Sequence, residues 1–188
     1  MHYLTSTILL FLSINSIQPA PIDLNRDTLI QILAPFSVDL STTTSLYLNA
    51  KNISTIEPTT FNGLASLELL MLDSNKLGFI ELGTFNGLHN LTVLSLSYNQ
   101  LASIEPKTFN DLIGLEMLYL DNNKLASLDS DVFSGLSSLK GLGLDDNQLV
   151  NINPNAFSPL SSLTSLHLIS NSITYRENFS PFFTFNLL

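Results

Sequence analysis

Apolar residues return along this chain at a fixed interval. Leu67, Leu91, Leu115, Leu139 and Leu163 stand 24 residues apart, and the neighbouring apolar positions move with them without a slip of register. From Leu91 the unit runs Leu94, Leu96, Asn99, Leu101, Ile104, Phe109 and Leu112; from Leu139 it runs Leu142, Leu144, Asn147, Leu149, Ile152, Phe157 and Leu160. The unit from Thr43 keeps Leu46, Leu48, Ile53, Ile56, Phe61 and Leu64 but has Lys51 where the others have Asn. Upstream, Ile22, Leu24, Asp27, Leu29, Ile32 and Leu40 fall in matching places, which reads as a degenerate capping repeat over residues 21–42. A constant period of this size is the mark of stacked repeats, none of which can bury its apolar face alone.

The residue types follow from the geometry of one unit. In LEMLYLDNN, residues 115 to 123, Leu118 and Leu120 are two apart and share the core face of a short strand, while Tyr119 and Asp121 share the other face. After the strand the chain must turn, and a buried turn leaves backbone N–H and C=O groups that need internal partners. Asn, whose amide both donates and accepts, meets that need at 75, 99, 123, 147 and 171. Phe at 61, 85, 109, 133 and 157 closes the outer side of the core with stackable rings. The predicted fold is an α/β-type repeat solenoid: a curved horseshoe with a parallel β-sheet on the concave face and loops or short helical turns on the convex face.

The pattern L-x-x-L-x-L-x-x-N-x-L-x-x-[IL]-x-x-x-x-F-x-x-L over residues 43 to 173 resembles the 24-residue "typical" class of leucine-rich repeat, found in Toll receptors, small leucine-rich proteoglycans and Slit proteins. The Phe-Asn-Gly-Leu of residues 61–64 and 85–88 resembles a common variant of that class. The resemblance implies a secreted or cell-surface protein that binds a protein ligand by its concave face. Extracellular members usually close both ends with cysteine-rich caps, whereas this chain has no Cys. Residues 37–49, SVDLSTTTSLYLN, resemble the lead-in from such a cap without its cysteines. Beyond the array of residues 43–174 the pattern dissolves into a tail, 175–188. Either Phe179, Phe182, Phe183 and Phe185 fold back over the last strand edge, or the chain is a piece of a longer array.

The first twenty residues have the outline of a secretory signal: an apolar run from Ile8 to Leu12, then small and polar residues ending at Ala20. The alternative is an apolar segment covering the first edge of the core. No run approaches the length needed to span a bilayer. Three sequons, at Asn52, Asn90 and Asn178, would carry N-glycans in an exported chain, with Asn90 the best placed because it precedes a strand.

Sixteen acidic residues against seven basic ones give a formal charge of −9, which repels nucleic acid and anionic membranes and leaves basic or neutral protein partners. His2, His89 and His167 are too scattered for a metal cluster, and no metal or cofactor is expected. No nucleophile elbow or phosphate loop is present, and the serines are read as having no His nearby in register, so the chain is not expected to be an enzyme.

The leucines are structural, so recognition falls to the outward second, third, fifth, seventh and eighth positions of each unit. Tyr47, Met71, Tyr98 and Tyr119 supply amphipathic anchors of the kind enriched in interfaces. Asp73, Asp121, Asp145 and Asp146 make the same face acidic, and His167 lies in the column of Tyr119. A calcium ion at Asp121, Asp145 and Asp146 would require a multidentate geometry that a sequence does not display. A second acidic column, Glu57, Glu81, Glu105 and Asp129, falls on the loop side and reads as a solvated consequence of repetition. The alternative functions are a self-associating matrix or adhesion component, or a cytosolic scaffold if the N-terminus is not a signal.

Overall fold

The computed structural model describes residues 7–8, 20–36 and 39–173. A short strand β1 (Thr7–Ile8), a strand β2 (Ile22–Leu24), a helix α1 (Arg26–Leu33) and a 3-10 turn (Ala34–Phe36) precede the repeats. In the repeats follow β3 (Ser45–Tyr47), β4 (Ile53–Ile56), β5 (Leu69–Met71), β6 (Val93–Ser95), β7 (Met117–Tyr119), β8 (Ser127–Leu128), β9 (Gly141–Gly143), β10 (Asn151–Ile152) and β11 (Ser165–His167).

The 24-residue period becomes one coil per unit. The concave sheet is parallel throughout in the order β1-β3-β5-β6-β7-β9-β11, and its register sets Leu46, Leu70, Leu94, Leu118, Leu142 and Leu166 in one row. These leucines are buried, as are the next leucines along each coil, Leu48 to Leu168. On the return path β4 pairs with β2 and β10 with β8, and turns make up most of the rest. Phe61, Phe85, Phe109 and Phe133 are almost wholly buried; rings of adjacent coils stack at 6.4 Å (Phe61 and Phe85), 6.1 Å (Phe85 and Phe109) and 6.0 Å (Phe133 and Phe157). Gly135 sits at φ 89° with the Asn110 carbonyl 2.4 Å from where a Cβ would lie, so this turn admits no side chain.

Each turn asparagine bonds two coils together. Asn123 Oδ1 accepts the Leu101 amide of the preceding coil at 3.0 Å, and its Nδ2 donates to the carbonyls of Leu96 and Leu120 at 3.0 Å and of Asp121 at 3.3 Å. Asn75, Asn99, Asn147 and Asn171 repeat the arrangement. All but Asn171 are buried.

The segment expected as a degenerate repeat covers the first coil but leaves the repeat register. Ile22–Leu24 pairs with Ile53–Ile56 on the return path, while β1 takes the concave edge beside β3. The cause is local. Asn25 caps the Thr28 amide at 2.9 Å, so a helix starts at Arg26, before the chain reaches the place of the turn Asn. Leu24, Leu29 and Leu33 then close the core, held by Thr60 Oγ1 and the Glu57 amide on the Leu24 carbonyl. Position 51 carries Lys51, whose partial burial lowers its ammonium pKa. Most of the proposed signal segment and the C-terminal tail, with Asn178 and the four phenylalanines, lie outside the described residues.

Replacing Asn123 with Ala would strand the buried Leu101 amide, costing about 1–3 kcal/mol, and leave the Leu96 and Leu120 carbonyls with one donor each, Asn99 and Asn147, in place of two. We expect Asn123→Ala to lose on the order of 2 kcal/mol in urea unfolding, and Asn171→Ala, in a more exposed coil, to lose clearly less. Equal midpoints for wild type and Asn123→Ala would contradict the ladder's role.

Candidate functional site

Along each concave strand the third, fifth and seventh positions face outward, as the alternation requires. The eighth does not continue the strand. Ala50, Ser74, Tyr98, Asn122, Asp146 and Ser170 all have left-handed backbones, with φ between 52° and 59°. The amides of Ala50, Ser74, Tyr98, Asn122 and Asp146 bond forward to the seventh-position carbonyl of the next coil, Asp146 to Ile169 at 2.9 Å for example. Tyr98, 60% exposed, and Asp146, also exposed, therefore sit on the turn that follows the strand, outward as the sequence reading had them but off the strand itself.

The seventh position carries the acidic column, and its carboxylates are tied into the backbone. The Leu120 carbonyl, which the amide of residue 145 would otherwise meet, is taken by Nδ2 of Asn123 and Asn147. The Asp145 amide turns instead to Asp121 Oδ1 at 3.1 Å, and one coil on the Ile169 amide turns to Asp145 Oδ1 at 2.6 Å. Asp121 Oδ2 also accepts the Ser97 hydroxyl at 3.2 Å. Asp73 lies in the same column, two coils before Asp121, and takes the Ser74 hydroxyl at 3.4 Å. On the second position Lys140 pairs with Glu116 at 2.7 Å, an exposed bridge that offsets one acid of the face.

Four of the sequence-derived residues come together: Tyr119, Asp121, Asp145 and His167 line one hollow of about 240 Å³. Its floor is β9, where Gly141 and Gly143 replace the outward side chains that every other concave strand after β1 carries. Met117, Tyr119 and Asp121 form one wall, and Ser165 and His167 the other. A Cβ on Gly141 would lie 2.5 Å from the Met117 methyl, and one on Gly143 2.5 Å from an Asp121 oxygen, so the glycines let these neighbours lean over the strand. Tyr47 and Met71 share the face but stand on β3 and β5, well away from this hollow.

Ser165 Oγ lies 2.9 Å from His167 Nε2, which corrects the expectation that no serine has a His in register. Residues two apart on a strand share a face, so the pair was legible along the strand, though not down the columns. His167 Nδ1 stands 3.9 Å from Asp145 Oδ2, too far for a hydrogen bond. The Ser165 and Thr164 amides both donate to the Lys140 carbonyl at 2.9 Å, so neither is free to stabilise an oxyanion. Among the described residues no three His, Cys, Asp or Glu side chains converge to hold a metal. Gly141, Gly143, Met117 and Ser165 were missed by the sequence reading, and two outward glycines in one strand were the available signal.

The sequons differ in setting. Asn90 is exposed, with Nδ2 on the Ala65 carbonyl at 2.8 Å. Asn52 leads into β4, where its Nδ2 donates to the Ala20 carbonyl at 3.0 Å and the Ser54 hydroxyl to Ile22 at 3.3 Å.

The two roles of Asp145 separate by substitution. Asp145→Asn keeps an acceptor for the Ile169 amide and is expected to change stability by less than about 0.5 kcal/mol, whereas Asp145→Ala strands that amide and should cost about 1–2 kcal/mol. Urea midpoints of the two variants measure the difference.

Comparison with curated protein sequences gives no match. Among solved structures, the chain is similar to the Toll–Spatzle complex of Drosophila at 27% identity and TM-score 0.68, covering 72% of this chain and 18% of that one. It is similar to the octameric complex of Latrophilin 3, Unc5D and FLRT2 (LRR) at 25% identity and TM-score 0.71, covering 79% and 48%. The TLR13-ssRNA13 complex matches at 28% identity and TM-score 0.58, covering 83% and 24%. The chain thus spans less than half the length of each of these. The family model described as Leucine rich repeat matches residues 22–77, 41–101, 66–125 and 113–173. With that match spread over most of its length, and one coil per 24-residue unit, the chain belongs to the leucine-rich repeat family.

Proposed function

We propose that this chain is a non-enzymatic, exported module that binds a protein ligand on its concave face. The observation that carries the reading is the hollow in that face, an indentation bordered by exposed Tyr119 and by two carboxylates that pair with no Lys or Arg among the described residues. Tyr47, Met71 and Tyr119 are the apolar anchors, and Asp73, Asp121 and Asp145 with the net charge of −9 select a basic or neutral partner. Two of the similar structures are complexes with protein partners, as their descriptions state. A third is a complex with ssRNA, but the acidic face of this chain would repel a polyanion. Among the described residues no helix is long and apolar enough to cross a membrane.

A photo-crosslinking side chain placed in turn at Met71, Tyr119, Glu81 and Lys107 tests the face, in eukaryotic cells that express and export the chain. Discrete adducts with one partner are expected from the first two positions and not from the last two, which lie on the return side. Adducts from Glu81 or Lys107 alone, or only with a second copy of the chain, would overturn the reading, the latter in favour of self-association.

Export has its own test in the intact mass of protein from the culture medium. The expected product lacks about its first twenty residues and carries an enzymatically removable glycan on Asn90 in preference to Asn52. Uncleaved, unmodified chain confined to the lysate would instead favour a cytosolic scaffold.

A further inference from the structure

The glycines of β9 are costly where they stand. Glycine in a strand forfeits packing and backbone order, and neither Gly141 nor Gly143 has the positive φ that would demand it. The equivalent positions elsewhere hold Ser45, Leu69, Val93, Met117 and Ser165, or Tyr47, Met71, Ser95, Tyr119 and His167, so strand geometry does not call for glycine there; what a Cβ in β9 would meet is the leaning Met117 methyl and Asp121 carboxylate. What the glycines create is space: a hollow with a backbone floor, an apolar wall from Met117 and the Tyr119 ring, and carboxylates of Asp121 and Asp145 at one end.

The chemistry of the walls selects the occupant. Asp145 Oδ1 is engaged with the Ile169 amide, while Oδ2 has only His167 Nδ1 at 3.9 Å. An apolar group entering here would strip water from two carboxylates and return no hydrogen bond. An anion would meet like charge. A basic side chain fits throughout: methylenes along Met117 and the glycine floor, a cation against the Tyr119 ring, and donors to Asp145 Oδ2 and to the second lone pairs of the Asp121 oxygens, which already accept the Asp145 amide and the Ser97 hydroxyl. Arginine exceeds lysine, because its planar fork can reach both carboxylates while stacking on the ring.

We propose that this hollow receives one basic side chain of the protein ligand, arginine in preference to lysine. The proposal rests on the concave-face reading and names the chemistry that the face selects.

The test is a titration of the isotopically labelled chain, observed by NMR at the Gly141 and Gly143 amides. The probes are N-acetyl-arginine amide, N-acetyl-lysine amide, and the uncharged citrulline and norleucine counterparts. A ligand of this size reaches about millimolar affinity at best. The expected result is saturable shifts centred on β9 with arginine ahead of lysine, and with citrulline and norleucine weaker by about tenfold or more. Gly143→Met, which installs the side chain that β5 bears at the same position, should abolish the arginine response while the amide spectrum of the remaining coils stays in place. Asp145→Asn, which keeps an acceptor for the Ile169 amide, should weaken it by about tenfold.

Citrulline binding as well as arginine, no saturable arginine response at tens of millimolar, or an undiminished response in Gly143→Met would each overturn the proposal. Photo-adducts that persist at Met71 and Tyr119 despite such a result would leave the concave-face reading standing. Arginine binding in β9 without any concave adduct would overturn the claim that a protein ligand supplies the side chain, and the concave-face reading with it.

Discussion

One side-chain amide per coil holds this molecule in register. The concave strands are only three residues long, too short to bind coils firmly through the sheet alone. Immediately after each strand the chain turns inside the protein, where carbonyls and amides have no water to meet. The asparagine at that turn accepts from the preceding coil and donates to both coils, so each one joins a pair of neighbours. The acidic column follows from this. Because the asparagines occupy the Leu120 and Leu144 carbonyls, the next amides are left to find other acceptors, and the side chains of Asp121 and Asp145 provide them. Carboxylates that look like pure recognition groups in the sequence are therefore half structural.

That dual role explains how the face tolerates its charge. Each of these carboxylates receives a backbone N–H of the next coil in a charge-assisted hydrogen bond, which offsets repulsion between Asp121 and Asp145 on adjacent coils. The oxygens that remain open border the place where β9 contributes no side chains. Bulk is missing where negative charge is gathered, and that coincidence distinguishes this stretch from the rest of the sheet. Ser95 and Ser97 on the same sheet are also small, but both are buried.

The array was legible because repetition multiplies a weak signal. Each leucine, asparagine and phenylalanine recurs at one spacing, and all the predicted interior positions from Leu46 to Phe157 are buried or nearly so. The cap was not legible in the same way, since Asn25 starts a helix in a segment whose apolar spacing still mimics a repeat. The eighth position, with Tyr98 and Asp146, was read as outward, but a column does not display that it lies in a turn that coils enter in a left-handed conformation. The hollow escaped notice for another reason. Reading down columns reports what side chains are present, whereas this site depends on two that are missing and on a Ser165–His167 pair that runs along a strand.

The direction of the ladder has a mechanical meaning. Bonds between coils run along the axis of the stack, so tension applied along that axis loads the interfaces in series and the weakest yields first. Coils would peel away singly, each giving up its own asparagine bonds, instead of rupturing together. The hollow touches β7, β9 and β11 at once and so spans two consecutive interfaces. A ligand seated in it would clamp three coils, raise the force at which that part of the stack opens, and make the grip of the partner a determinant of how the protein bears load.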